Sequence, residues 1–199
     1  GTGGVLNRVT KKGWLGESFT DLGVAANSFG GLSLQIDRNM GVSESSAFRV
    51  NGYYESLENH RDFFDGDQFG FNPTAKFKLS DATVLDLSYE YIDQERFIDR
   101  GIPTGTDGRP VRALRDNVFG DPLLNTTELE ANLFKAMVQH RFSDAMKGNF
   151  SVFYGDYDKM YQNFYAAKYD QSKTPNEVTL DGYVDTTQRE NLQISGNVI

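Results

Sequence analysis

Apolar and polar residues alternate with period two, connection lengths sort by sheet edge, and aromatics gather near strand ends. Together these predict an all-β fold, an antiparallel up-and-down transmembrane β-barrel present as about eight strands of a larger one. Successive side chains of a strand point to opposite faces, so the alternation describes a sheet with one apolar and one polar face. The predicted strands are 19–29, 32–40, 47–59, 68–79, 83–97, 128–142, 147–161 and 186–198.

The second strand reads Leu32, Leu34, Ile36, Arg38, Met40 against Ser33, Gln35, Asp37, Asn39. In the third, Phe48, Val50 and Tyr54 oppose Arg49, Asn51 and Glu55. The fourth sets Phe69, Phe71, Pro73, Ala75, Phe77 and Leu79 against Gly70, Asn72, Thr74, Lys76 and Lys78. Leu85, Leu87, Tyr89 and Tyr91 share a face of the fifth, opposite Asp86, Ser88 and Glu90. The eighth alternates Leu192, Ile194 and Val198 with Asn191, Gln193, Ser195 and Asn197. Segment 128–142 is contested. Thr127-Glu128-Leu129-Glu130 matches a helix capping box, and Leu129, Leu133, Ala136 and Met137 fit a helical stripe.

The connections are Gly30-Gly31, Gly41–Ser46, His60–Asp67, Ser80–Ala82, Ile98–Thr127, Ser143–Met146 and Gln162–Asp185. From the third onward the long ones share one edge of an up-and-down sheet and the short ones the other, as in outer-membrane barrels. A soluble sandwich has no reason to sort loops this way. Strands of about 9–11 alternating residues match a lipid-facing wall, and a closed barrel satisfies backbone groups in hydrocarbon without helices. The aromatics near strand ends (among them Phe19, Phe29, Phe69, Tyr91, Phe142 and Phe150) sit where an interfacial girdle would lie, although aromatics also favour strands in general.

Composition excludes other classes. No apolar run approaches the ~18–20 residues of a membrane helix. The absence of Cys removes disulfides, thiolate metal sites and thiol nucleophiles. A net charge of −8 disfavours a general nucleic-acid binder. Fifteen Phe and ten Tyr in a chain this polar are unusual for a soluble domain. The start without Met and the end within an alternating strand are expected of a piece of a longer chain.

Several stretches, in order along the chain, resemble a TonB-dependent outer-membrane receptor of the ferric-siderophore type. Gly1–Lys12 (Gly-Thr-Gly-Gly-Val-Leu-Asn-Arg-Val-Thr-Lys-Lys) is similar to the last strand of that family's plug domain. Arg61-Asp62-Phe63, Phe71-Asn72-Pro73-Thr74, Tyr89-Glu90-Tyr91, Arg96–Pro103 and Phe119-Gly120-Asp121-Pro122 are also family-like. The resemblance implies a barrel of roughly 22 strands with a plugged lumen. Residues 1–13 would be the C-terminal end of the plug, and 14–199 the N-terminal part of the barrel. It further implies a bacterial outer-membrane protein that is not an enzyme and has no covalently bound cofactor. Its ligand would be an Fe(III)–siderophore complex. Its partners would be the inner-membrane TonB complex, reached through the missing N-terminal part, and outer-membrane lipid; nucleic acid is not among them. The rivals are a self-contained eight-stranded barrel with an adhesin or structural role, and a soluble β-rich binding domain or hydrolase.

For an anionic chelate, guanidinium donors suit best, being always charged and forked. Arg96, Arg100, Arg109, Arg112 and Arg115 supply them, against Asp99, Asp107 and Asp116 in the same stretch. The alternative is an ordinary charged, solvated loop. Phe97, Tyr161, Phe164 and Tyr165 fall where strands emerge at the outer edge and would wall planar chelating groups, or serve as girdle and loop packing. No metal site is expected. Asp65-Gly66-Asp67 lacks the later ligands of a calcium loop, and His60 and His140 have no zinc spacing. Gly105-Thr106-Asp107-Gly108 lacks the Lys and Ser/Thr of a phosphate loop, and Asp156/Asp158 fit a hydrated wall better than acid–base work.

Overall fold

The computed structural model describes Gly3, Gly4 and residues 9–199. The expected plug end at 1–13 therefore lies partly outside the described residues, at 1, 2 and 5–8. Eight strands follow one another: β1 (Ser18–Ala26), β2 (Leu32–Gly41), β3 (Ser46–Ser56), β4 (Gly66–Lys78), β5 (Thr83–Phe97), β6 (Thr126–Ser143), β7 (Met146–Asp170) and β8 (Glu177–Val198). They form one sheet in the order β1-β2-β3-β4-β5-β6-β7-β8, each antiparallel to its sequence neighbour. It is the up-and-down arrangement the alternation predicts. The sheet is open, with β1 and β8 as its edges.

The contested segment is strand, not helix. Every residue of β6 from Thr126 to His140 has a partner on β5, and the other side of β6 pairs with β7. Two full ladders outweigh a capping box, because helix propensity is a weak prior beside tertiary pairing. One expectation fails: most of Gln162–Asp185 is not a loop. β7 and β8 continue as a paired hairpin to Asp170 and Glu177, with one register shift between Ala166 and Lys168.

The pleat sorts side chains cleanly. Met40, Phe48, Ala75, Leu87, Ala136, Val152 and Ile194 stand in one register row on the outer face. One residue along lie Asn39, Arg49, Thr74, Ser88, Lys135, Phe153 and Gln193, on the inner face. Burial is inverted relative to a soluble domain. Asp37, Asn39, Arg49, Asn72, Thr74, Asp86 and Glu90 are buried on the inner face, whereas Leu22, Val24, Leu192 and Ile194 are exposed on the outer. Tyr54, Phe69, Tyr91, Phe134 and Tyr154 cap the outer apolar belt at its upper border. Followed through the register, that border drops toward β8 by about one residue per strand. With strands ~4.8 Å apart and ~3.3 Å per residue, such a slope corresponds to a tilt of about 35°.

Pro73 breaks the ladder and is compensated. A proline in a central strand removes a donor. Pairing of β4 with β5 lapses between Phe71↔Tyr91 and Thr74↔Ser88, where Pro73 lies opposite Tyr89. The neighbouring Asn72 side chain supplies what Pro73 cannot: its Nδ2 donates to the Tyr89 carbonyl at 2.5 Å.

Residues before β1 run across the inner face as a strap. Lys11 Nζ meets Asp37 at 2.6 Å, and Lys12 Nζ meets Asp86 at 2.7 Å. Arg49 forks onto both oxygens of Asp37, at 2.7 and 2.6 Å, and donates to the Lys12 carbonyl at 3.1 Å. Its guanidinium lies 5.3 Å from the centre of the Trp14 ring and 5.0 Å from that of Phe19. Asn39, with no exposed surface, accepts from Trp14 N at 3.0 Å and donates to the carbonyls of Trp14 and Glu17 at 3.0 and 2.7 Å. Gly13 passes close to β3: a Cβ there would crowd the Ala47 carbonyl oxygen at 3.1 Å.

At the opposite end, residues 57–65 and 98–125 form a joined rim. Arg61 Nε donates to Asp99 Oδ2 at 2.5 Å, and its two Nη groups donate to the carbonyls of Arg115 and Asn117. The Asp99 carboxylate beside it raises the Arg61 guanidinium pKa above its ordinary value. Asp99 Oδ1 also accepts from Gly101 N at 2.8 Å. Asn125, almost wholly buried, donates to the carbonyls of Ile98 and Phe164 and accepts from Phe164 N and Asp121 N. The segment is thus tied at both ends, to the neighbouring loop and to β7. Within it Thr104 bridges Pro110, and a single 3-10 turn spans Arg112–Leu114.

Two measurements check this account. Asn72→Ala should lower the unfolding free energy in detergent or lipid by about 1–3 kcal/mol, the cost of an unpaired carbonyl, and adding Pro73→Ala should recover part of it by restoring a backbone N–H. If the double variant is no more stable than the single one, the compensation is not as described. Arg61→Met should speed limited proteolysis within 98–125 by about tenfold or more, since the segment loses its tie to the neighbouring loop.

Candidate functional site

The rim end of the inner face carries the groups suited to ligand binding. On β7, Tyr161, Asn163 and Tyr165 alternate onto the face that also holds Phe153 and Tyr157, and Asn163 pairs in register with Tyr183 of β8. The rings of Tyr161 and Tyr183 stack at 5.8 Å with 19° between planes. Arg100 reaches over from the 98–125 segment. Its Nη1 donates to Asn163 Oδ1 at 3.3 Å and to the Tyr183 hydroxyl at 3.2 Å, and its guanidinium lies 5.0 Å from the Tyr165 ring centre. Hydrogen bonding to the Tyr183 hydroxyl, and then to Tyr161, holds the Arg100 pKa above its ordinary value. Tyr165 donates onward to Asp181 at 3.3 Å.

Of the residues picked out in the sequence, the structure brings Arg100, Tyr161 and Tyr165 together. Arg96 is half-buried at the end of β5, paired in register with Gly66 and Thr127. Phe97 is buried, its N–H bonded to the Asp65 carbonyl. Phe164 alternates onto the outer face, with its backbone held by Asn125. Arg109 and Arg112 are exposed on the far part of the segment, away from the cluster's contacts. Arg115 is exposed beside Asp116 at 3.4 Å, while its carbonyl serves Arg61.

Sequence reasoning missed Asn163 and Tyr183. Both lie in the stretch taken as a loop, although Tyr161, Asn163 and Tyr165 at period two were a strand signal. Arg61 and Asn125 were missed because their work is to bind distant carbonyls, which no local pattern records.

Below the rim, a groove of about 650 Å³ lies between the strap and the inner wall, lined by Asp21, Gln35, Asn51, Glu55, Gln68 and others. Among the described residues no group of His, Asp or Glu is arranged to hold a metal ion. His140 Nδ1 contacts the Thr83 hydroxyl at 2.8 Å, and His60 packs beside Phe29. Asp67 accepts from Tyr54 at 2.5 Å.

No family model matches the chain. Solved structures match in fold, among them the open and closed forms of the ferric-catecholate import receptor Fiu from E. coli K12. The open form aligns with a TM-score of 0.79 and 18% identity over 95% of this chain and 31% of the receptor. The closed form gives 0.77 and 17% over 95% and 29%. The chain thus spans about three-tenths of the receptor's length, and at this identity the likeness is one of fold. Eight antiparallel up-and-down strands in one open sheet, matching part of a receptor barrel, is the fold of this chain.

Proposed function

We propose that the chain is part of the barrel wall of a TonB-dependent outer-membrane receptor for a ferric siderophore, with 1–13 as the end of the plug and 14–199 as the first barrel strands. One observation carries the reading. A single open sheet has an apolar outer face, a polar inner face crossed by a strap, and a tied rim bearing arginine and tyrosines on one edge. Each part has a physical role in such a receptor. The outer belt meets lipid, the ladders satisfy the backbone within the bilayer, and the inner face stays wet and polar. The chelate, an Fe(III)–siderophore complex, would be held at the rim by groups among Arg96, Arg100, Arg109, Arg112, Arg115, Phe97, Tyr161, Phe164 and Tyr165. Nothing in this chemistry calls for bond making: binding at the rim and movement past the inner wall suffice. The energy would come from the TonB complex of the inner membrane, acting through residues upstream of the strap. The solved receptor that shares the fold is itself an iron-chelate importer, which supports the same reading.

Two tests apply. In the full-length receptor refolded into lipid, Leu87→Lys on the outer face should cost about 2–4 kcal/mol and Ser88→Lys on the inner face far less. Equal costs would remove the lipid-facing assignment. In iron-starved cells, deleting the receptor should abolish uptake of radiolabelled iron from at least one ferric siderophore. Restoring it should recover that uptake only while the inner membrane is energised. Energy-independent uptake, or none for any ferric siderophore, would overturn the transport role.

A further inference from the structure

Arginines in this fold meet different fates. Arg49 and Arg61 spend their charge on buried carboxylates, Asp37 and Asp99. Arg115 lies beside Asp116. Arg100 has no carboxylate within ion-pairing distance among the described residues. The groups that hold it are uncharged: the Tyr183 and Tyr161 hydroxyls, the Asn163 amide oxygen and the face of Tyr165. The hydrogen bonds to Tyr183 and Asn163 are long, at 3.2 and 3.3 Å, and the side chain is exposed. The positive charge is therefore positioned without being neutralised.

A second observation points to a missing acceptor. Asn163 is 1% exposed, and its Nδ2 has no hydrogen-bond partner, although Oδ1 of the same amide accepts from Arg100. A buried donor left unpaired is costly, and native folds seldom keep one without a use. Around these two donors stand three phenol rings, of Tyr161, Tyr165 and Tyr183, two of them stacked.

We infer that Arg100, Asn163 and Tyr183 form a subsite for an anionic aryl-oxygen edge of the ligand, the chemistry of a ferric catecholate rather than of a neutral, aliphatic hydroxamate complex. The aryl oxygens bring the negative charge that Arg100 lacks and an acceptor for Asn163 Nδ2. The ring plane lies against the tyrosines, where offset or edge contacts between aromatic rings are favourable. A neutral hydroxamate chelate offers weaker acceptors and no ring. Tyr183 is then a specificity-determining residue, and Asn125 and Asp99 are positioning residues that hold the backbone on either side. The inference rests on the rim being the ligand-binding edge of a ferric-siderophore receptor.

The test titrates the purified full-length receptor, by quenching of its intrinsic fluorescence, with two probes: the iron(III) complex of 2,3-dihydroxybenzoate and that of acetohydroxamate. The catecholate probe should bind at least about tenfold more tightly than the hydroxamate. Arg100→Ala should weaken it about tenfold, Arg100→Lys and Tyr183→Phe by smaller factors, and hydroxamate binding should change little in any of them. Heat-modifiable migration on gels confirms that each variant is folded; should Arg100→Ala fail, the comparison is read from Arg100→Lys and Tyr183→Phe. Equal binding of the two probes, tighter hydroxamate binding, or catecholate binding untouched by these substitutions overturns the subsite and leaves the receptor reading standing. Binding of neither probe, together with no uptake of any ferric siderophore by cells, overturns both. Binding of neither probe with uptake intact overturns the subsite alone.

Discussion

The structure depends on backbone hydrogen bonding between sequence neighbours. Each strand finds its partner in the next one along the chain, without a crossover. A backbone carbonyl kept from water without a donor is costly, and Pro73 shows how the ladder avoids one. The one central position without an N–H has a neighbouring side chain doing the donating. With the backbone settled in this way, side chains are free to be apolar on one face and charged on the other.

That division explains what the sequence could and could not reveal. From Leu32 to Tyr91 the outer face is apolar and the inner face polar, so alternation is strong and strand limits fall within a few residues of the observed ones. Between Gln162 and Asp185 the hairpin stands above the aromatic border, and each face mixes polar with apolar side chains: Gln162 among Phe164, Leu180 and Val184 outward, Asn163 and Asp181 among Tyr165 and Tyr183 inward. The ladder continues there with a weaker sequence signature. β6 posed the opposite problem: Leu129, Leu133, Ala136 and Met137 carry a helical pattern, and only the partners on both sides decide for strand.

The rim was half legible for a related reason. Arg100, Tyr161 and Tyr165 announce themselves as residue types suited to an anionic, planar ligand. The contacts that gather them do not. Asn125 works by tying the start of one connection to β7, and Arg61 by serving carbonyls more than fifty residues away. Such ties depend on which loops stand side by side, a consequence of strand order that no local window contains. The same holds at the other end, where Arg49 reads as one more polar inner residue until the strap brings Trp14 and the Lys12 carbonyl to it.

The strap also limits how tightly the wall can curl. Eight strands tilted by about 35° and closed on themselves would make a cylinder of roughly 7–8 Å backbone radius, a bore that side chains alone fill. Here a length of main chain with Trp14, Lys11 and Lys12 already lies against the inner wall, and beside it remains a groove of about 650 Å³. A sheet lined in this way has to keep a gentler curvature. Such a curvature leaves room for contents, and the strap is the first of them.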